Sequence, residues 1–261
     1  MIARERFVID ERRTSLVGYL VRFGDDNLVL AQRLGEWSSR GPDLEEDIAL
    51  TNIALDLLGR ARFLFTYAGH VEGRGHEEDW FAFFRDEREF TNLLLVEQPN
   101  GDFAHTMARQ FFFDAWSVPL WEHLSASTDP TLAGIAGKAA KESRYHLRHS
   151  SAWVTRLGDG TEESHRRMQS AVDSLWRFTG EMFWSDAVEV ELAEMETAVV
   201  PVRLRPRFDR TVDEVFAAAD LRRPADAFQR RGGRLGLHTE HLGHLLAEMQ
   251  HLQRASPGLR W

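Results

Sequence analysis

The spacing of apolar residues constrains the fold of this sequence more than any other feature. From Ser15 to Trp37, and again from Ile48 to Tyr67, leucine, isoleucine and aromatic residues recur every three or four positions. This spacing places them along one face of an α-helix, whereas a strand would need strict alternation. Alternation of that kind is almost absent from the chain. The sequence therefore predicts an all-α protein.

Turn and capping residues divide this periodic pattern into long helices. Gly41 and Pro42 end the first helix, and Asp43 is placed to cap the second. A third helix runs through 107–124, and Asp129 caps a fourth that has Pro130 in its first turn. Four helices of about 22 to 28 residues, each spanning about 33 to 42 Å, are paired by short turns on either side of a longer connection. We therefore predict a four-helix bundle, with additional C-terminal helices over 162–183 and 236–254.

Length and composition indicate one soluble globular domain. The chain has 261 residues, of which 43% are hydrophobic and 28% charged, and it contains no long apolar run. No linker or low-complexity segment divides it, so we predict an N-terminal extension over 1–14 and a single helical domain over 15–261. The first residues are too highly charged for a signal peptide, and there is no cysteine. Both features predict a cytoplasmic protein.

The charge of the chain argues against some partners and leaves others open. A formal net charge of −9 disfavours nucleic-acid binding, and no segment is apolar enough to predict a membrane span. Nine arginines nevertheless crowd the last quarter of the chain. They form either solvated helix faces or a docking surface for an acidic partner or a phosphorylated cofactor. These arginines are Arg203, Arg205, Arg207, Arg210, Arg222, Arg223, Arg230, Arg231 and Arg234.

A bundle of this size could hold two irons, so Glu-x-x-His sequences are candidate half-sites. A di-iron site needs about four carboxylates: one from each of two helices, and a Glu-x-x-His pair from each of the other two. The sequence Glu162–His165 opens a helix after a glycine-rich loop, which is typical of a solvated cap. Glu248 and His251 share a helix side with His241 and His244, but no matching carboxylates accompany them. This pattern favours a polar helix face, with adventitious zinc or nickel binding as the alternative.

A third candidate, Glu142 and His146, has the wrong spacing. These two residues are four apart, whereas the ligands of the di-iron pair are three apart. The residue three positions before His146 is Ser143, which cannot serve as an anionic ligand. Residues 141–150 therefore do not provide a complete half-site.

Several distinctive runs together resemble the C subunits of bacterial phenylacetyl-CoA epoxidases. They follow the family's order from about Ser15 to Trp261, and they are LVLAQRLGEW, ALDLLGRAR, NLLLVEQPNGDFA, KESRYHLRHS and GLHTEHLGHLLAEMQ. The resemblance implies a ferritin-like bundle that pairs with the homologous catalytic A subunit. That partner holds the di-iron centre and epoxidises phenylacetyl-CoA in aerobic phenylacetate catabolism, while a separate reductase supplies electrons.

The same resemblance places the six di-iron ligand positions of the catalytic partner on this chain. Here they are occupied by Asn27, Leu57, Arg60, Asp114, Ser143 and His146. Only Asp114 and His146 keep a ligating residue type. The resemblance therefore implies a degenerate di-iron site with no cofactor in this chain, and a di-iron centre in its partner.

Asp114 at a former ligand position needs a partner if it is buried without a metal. Arg60 is a cation at another of these positions, so we predict a buried Arg60–Asp114 ion pair with His146 hydrogen-bonded nearby. In the alternative, Arg60 turns outward to solvent and Asp114 forms local hydrogen bonds with Trp116 or His146.

Two classes of function follow from these residues. In the first, the chain is a non-catalytic structural subunit of the multicomponent epoxidase and binds the A subunit. Further candidate partners are the reductase, other small subunits and a second copy of the chain, and the C-terminal arginines are candidates for a CoA site or a reductase dock. In the second, the chain is an independent ferritin-like di-iron oxygenase or metal-binding protein. Retention of two ligand types out of six favours the first class.

Overall fold

A computed structural model describes residues 2–226 and 228–259, with side chains described from Arg13 onwards. Within these residues helices are the only regular secondary structure, so the predicted all-α class is confirmed. Two helical hairpins supply the four long helices of the ferritin-like fold. These helices are α1 (Ile2–Gly35), α2 (Leu44–Glu72), α4 (Phe103–Leu124) and α5 (Pro130–Gly158).

Shorter helices follow each hairpin. The predicted segment over 162–183 is helical only to Leu175 and continues as two 3-10 turns, and the predicted last helix begins at Glu240 rather than Gly236. None of the described helices is long and apolar enough to cross a membrane. The shorter helices are α3 (Glu78–Phe83), α6 (Glu162–Leu175), α7 (Ala187–Glu194), α8 (Arg205–Ala218) and α9 (Glu240–Ala255).

Local capping explains where the long helices begin and end. The Asp43 side chain accepts a hydrogen bond from the backbone N–H of Glu46 at 2.9 Å, which confirms the predicted start of α2. Asp129 accepts in the same way from Leu132 at 2.8 Å, and Pro130 occupies the first turn of α5. At its other end α2 stops at Gly73, whose φ of +71° lies in the left-handed region that favours glycine.

Contacts between Cα atoms divide the chain into two compact units. Unit 1 comprises the described residues up to Asn92, Ala187–Leu192 and those from Gly232 onwards. Within it α1 packs along α2, and α3 contacts α1, α2 and α9. Unit 2 comprises Leu93–Asp186 and the described residues of Ala193–Arg231, and in it α4 packs against α5, α6 and α8.

The predicted domain boundaries fall on these elements as follows. Residues 2–14 of the predicted extension form the first turns of α1, and Met1 lies outside the described residues. The predicted end of the domain, at Arg260 and Trp261, also lies outside them. The single domain over 15–261 stays a prediction.

Helix α1 is buried on every side over its middle. All residues from Tyr19 to Ala31 are buried. A helix in such surroundings must be apolar throughout or must pair each of its polar groups. The sequence Arg22 to Asn27 nevertheless carries four polar side chains, so α1 depends on partners from other elements of unit 1.

Candidate functional site

The structure places all six predicted di-iron positions in the interior of the protein. None of these side chains is more than 3% exposed. Asn27, Leu57 and Arg60 belong to unit 1, on α1 and α2. Asp114, Ser143 and His146 belong to unit 2, on α4 and α5.

In unit 1 two of the predicted ligand positions are joined by a hydrogen bond. Arg60 Nη1 donates to Asn27 Oδ1 at 3.2 Å, and Asn27 Nδ2 donates to the carbonyl oxygen of Phe23 at 2.7 Å. Leu57 lies one turn before Arg60 on the buried face of α2. The alternative in which Arg60 turns to solvent is therefore wrong. A neutral amide, an alkyl side chain and a guanidinium provide no anionic ligand, so this half of the site does not fit iron.

In unit 2 the Asp114 carboxylate accepts hydrogen bonds from two neutral side chains. Gln110 Nε2 donates to Oδ1 of Asp114 at 2.8 Å, and Ser150 Oγ donates to Oδ2 at 2.8 Å. Both carboxylate oxygens thus already accept hydrogen bonds from side chains of α4 and α5. Trp116, one of the two predicted local partners, instead donates from Nε1 to the carbonyl oxygen of Met182.

The side of α5 that packs against α4 carries small polar groups and one imidazole. Ser143 Oγ lies 3.2 Å from Ser117 Oγ of α4. His146 and Ser150 follow Ser143 at helical spacing on the same buried face. This half of a di-iron site requires two carboxylates and one imidazole. The three predicted positions, Asp114, Ser143 and His146, supply only one carboxylate and one imidazole.

The residues at the six positions therefore do not fit a di-iron centre. In the described part of the chain, no three His, Asp or Glu side chains are grouped so that they could hold a metal ion. Arg60 and Asp114 lie in different units, so their ion pair stays a prediction, as does the hydrogen bond between His146 and that pair.

Beside Asn27, α1 carries a buried ion pair that the sequence did not predict. Asp25 accepts hydrogen bonds from both terminal nitrogens of Arg85, with Nη1 3.1 Å from Oδ2, and neither residue is more than 4% exposed. The backbone N–H of Thr91 also donates to Asp25 at 2.8 Å. Arg85 Nε donates to the carbonyl oxygen of Phe81, and its guanidinium carbon lies 4.2 Å from the ring centroid of Phe90. The arginine is thus bound on every side.

The next residue of α1 forms a second buried pair. Arg234 donates to both oxygens of Asp26, at 3.1 and 2.7 Å, in the bidentate geometry that suits a guanidinium and a carboxylate. One turn earlier, Arg22 lies 3.0 Å from Glu189 of α7. All four side chains are at most 8% exposed. Removing one member of such a pair leaves the other charge buried without compensation.

Three successive residues of α1 therefore meet three different arginines. Asp25, Asp26 and Asn27 point about 100° apart around the helix. Their arginines come from the segment after α3, from the turn before α9 and from α2, respectively. The sequence signal for this arrangement is three polar residues in a row within an otherwise apolar helix.

Most of the C-terminal arginines are engaged within the chain. Arg223, for example, pairs with Asp209 and Asp213, both at 2.6 Å. Those that form ion pairs are Arg205, Arg207, Arg222, Arg223 and Arg234. This finding favours a role for these arginines in intramolecular ion pairs and on solvated helix faces over a role in one continuous docking surface.

A carboxylate on α4 joins three helices of unit 2. Glu122 accepts a hydrogen bond from Arg144 Nε of α5 at 2.7 Å and another from Arg207 of α8. Partial burial opposes ionisation of Glu122, but the hydrogen bonds and charges of the two arginines outweigh it and lower the pKa of this carboxyl. Arg144, within the sequence that resembles a metal half-site, therefore has a structural contact.

The two literal Glu-x-x-His sequences lie at helix positions without a ligand set. Glu162–His165 begins α6, where Thr161 accepts from the backbone N–H of Ser164, so the predicted cap is confirmed. Glu248 and His251 lie on α9 and are exposed.

Fold and site together define an all-α protein of ferritin type in which the six predicted ligand positions do not supply a complete set of iron ligands. Comparison of sequences identifies its family: the profile of "Phenylacetic acid catabolic protein" matches residues 1–261, and the chain belongs to this family. It is 54% identical over 246 residues to the C subunit of the 1,2-phenylacetyl-CoA epoxidase of Escherichia coli (strain K12). The alignment covers 94% of this chain and 99% of that protein. The resemblance stated from the sequence is thus confirmed.

Proposed function

We propose that this chain is a non-catalytic structural subunit of a 1,2-phenylacetyl-CoA epoxidase, and that it binds and stabilises the homologous di-iron catalytic A subunit. The name of the Escherichia coli relative supports a place in an epoxidase. The observation that carries the non-catalytic role is the buried hydrogen bond between Arg60 and Asn27 at two ligand positions. A guanidinium fixed where an iron ligand would stand repels a metal cation instead of binding it.

Conversion to a metal site would require several changes at once. Asn27, Leu57, Arg60 and Ser143 would each have to become glutamate or histidine, and Arg60 would have to leave a position where it is 3% exposed. The remaining carboxylate, on Asp114, already accepts two side-chain hydrogen bonds. These contacts supply internal order that a metal centre would otherwise contribute to folding. We therefore expect the stability of the isolated chain to be unaffected by chelators.

Co-purification followed by metal analysis tests this proposal. A tagged form of this chain is co-expressed with the untagged catalytic subunit of the same organism under iron supplementation, and the eluted subunits are then separated. We expect both subunits in the eluate, iron with the catalytic subunit, and no epoxidation of phenylacetyl-CoA by this chain alone. Absence of the catalytic subunit from the eluate would contradict the structural role. Two irons in the isolated chain, or turnover by it, would support an independent oxygenase instead.

A cytoplasmic location belongs to the same proposal. It is supported by the absence of cysteine, which is typical of proteins of a reducing compartment. A reductase and other small subunits remain proposed partners of the assembled epoxidase.

A further inference from the structure

The solvent-facing side of α5 carries a row of cations. At 3.6 residues per turn, four of its exposed basic residues fall within an arc of about 80°, and the row that they form is about 27 Å long. Tyr145 and Ala152 share this arc and are also exposed, so no acidic residue interrupts the row. We call the row the α5 basic stripe, and it consists of Lys138, Lys141, Arg148 and Arg156.

Most of the α5 basic stripe is not neutralised by nearby carboxylates. Among the described residues, Lys141, Arg148 and Arg156 form no ion pair. Lys138 is the exception, because its Nζ lies 3.5 Å from Oε1 of Glu142. Glu142 is also the one acidic residue of α5, in a chain whose formal net charge is −9. Unlike most of the C-terminal arginines, the stripe therefore offers its positive charge to an anionic partner from outside the chain.

Aromatic rings of α5 position two of these cations. The guanidinium carbon of Arg148 lies 5.1 Å from the ring centroid of Tyr145, and that of Arg156 lies 5.0 Å from the ring centroid of Trp153. Stacking of this kind orders the arginine stem but leaves the N–H groups of the guanidinium free to bind carboxylates. Tyr145 is itself 53% exposed, and tyrosine and arginine often carry the binding energy of protein interfaces. These features favour a contact surface over a solvated helix face.

We propose that the α5 basic stripe docks an acidic face of the reductase that supplies the epoxidase with electrons. This inference rests on the proposed function, because the chemistry of an epoxidase creates the need for such a partner. Insertion of one oxygen atom of O2 into the substrate takes two electrons and two protons, and the other oxygen atom leaves as water. The reductase is the source of these two electrons.

The polarity and size of the stripe distinguish this partner from a permanent subunit. Subunits that stay together bury large and mainly apolar surfaces, whereas proteins that exchange electrons form small, short-lived contacts. A helix face about 27 Å long and about 10 Å wide presents roughly 270 Å², and its charged residues suit the second kind of contact.

Charges at such a contact act mainly on the rate of association. Complementary charges steer two proteins toward each other, and the attraction between exposed charges is screened beyond about 10 Å at 0.1 M salt. We therefore expect the reductase concentration that gives half-maximal turnover to rise with the salt concentration.

Charge reversal within the stripe tests the proposal. One variant combines Lys141→Glu with Arg148→Glu, and a milder one combines Lys141→Gln with Arg148→Gln. The matched control combines Arg203→Glu with Arg210→Glu, since both arginines are exposed and neither forms an ion pair among the described residues. Each chain is co-expressed with the catalytic subunit, and epoxidation of phenylacetyl-CoA by the purified complex is measured over a series of reductase concentrations.

The charge-reversal complex should need at least about tenfold more reductase for half-maximal turnover, because two attractive contacts become repulsive. The glutamine variant should lie between it and the wild type, and the control should match the wild type. At saturating reductase the turnover rate should be unchanged, as should the KM for phenylacetyl-CoA. The difference in reductase requirement should shrink at about 0.5 M salt. Equal far-UV circular dichroism should show that the variants fold.

Several outcomes would overturn the reductase contact. The charge-reversal complex would then depend on reductase as the wild type does, or the control would lose as much as the stripe variant. A raised KM for phenylacetyl-CoA alone would assign the stripe to the phosphates of CoA, and loss of the catalytic subunit from the folded variant would assign it to that subunit. Failure of the proposed function differs, because the wild-type chain itself would then not co-purify with the catalytic subunit, and the inference would fall with it.

Discussion

The buried Asp25–Arg85 pair should contribute a large share of the stability of the chain. Arg85→Met keeps an apolar stem of similar length, but it removes the cation that compensates a carboxylate with 0% exposure. Stranding one member of a buried pair costs about 3 to 5 kcal/mol. The two hydrogen bonds from Thr91 remain on Asp25 and place the loss toward the lower half of that range. Loss of the contact with the Phe90 ring adds about 1 kcal/mol.

A double variant separates the charge from the other contacts of Arg85. Asp25→Asn is isosteric and keeps an acceptor for the Thr91 N–H, but it removes the negative charge. The Arg85→Met, Asp25→Asn chain should therefore be more stable than Arg85→Met alone. Its loss should also fall short of the sum of the two single losses by about 2 kcal/mol.

Urea unfolding followed by far-UV circular dichroism at neutral pH measures these differences. Arg222→Met is the control, because Arg222 and its partner Asp173 are 68% and 41% exposed and such pairs contribute under about 1 kcal/mol. A protein of this kind has about 5 to 15 kcal/mol in total, so the change in Arg85→Met should be readily measured. Additive single changes, or an Arg85→Met chain within about 1 kcal/mol of wild type, would refute the reasoning.

Three further outcomes are expected from unfolding measurements. Gly24→Ala should destabilise by about 1 to 3 kcal/mol because its Cβ would overlap the ring of a buried phenylalanine of α2, whereas Gly18→Ala on the same helix, with open space around it, should stabilise by up to about 1 kcal/mol. Glu122→Gln should lower the free energy of unfolding by about 1 kcal/mol near neutral pH. Because the two arginines lower the pKa of the Glu122 carboxyl, its contribution to stability is lost as the pH falls through the folded-state pKa. The stabilities of the wild type and of Glu122→Gln should therefore converge in acid. Arg60→Met should cost about 3 to 5 kcal/mol, and Arg60→Met with Asp114→Leu should recover much of it; simple addition would show that the two residues are not paired.

The helices of the two hairpins could be predicted because their signals are local. Asp43, Asp129 and Pro130 act on backbone groups within three residues, and the apolar period needs only the chain itself. Helix α8 was not predicted, although Phe208, Val212 and Phe216 recur every four residues. The arginines of this segment predict a charged surface, whereas the structure shows that three buried apolar residues hold the helix in place.

The candidate site could likewise be predicted only in part. Resemblance to a known family placed the six positions, and the structure shows that all six are buried. The hydrogen bond of Arg60 to Asn27, 33 residues away, depends on how α1 and α2 pack, which no local pattern records. The partners of Asp25 and Asp26 were missed for a further reason: periodicity separates a buried from an exposed helix face, and α1 has no exposed face over its middle.

The discontinuity of unit 1 has a consequence for the order in which the chain folds on the ribosome. Asp26 is made early, but its partner Arg234 is made 208 residues later. Until that residue leaves the exit tunnel, the first hairpin lacks a cation that its interior requires. All of unit 2, by contrast, precedes residue 232 in the chain. We expect the middle of the polypeptide to become protease-resistant first and the N-terminal hairpin only after Arg234 has emerged, so that nascent α1 and α2 are the segments that chaperones must protect longest.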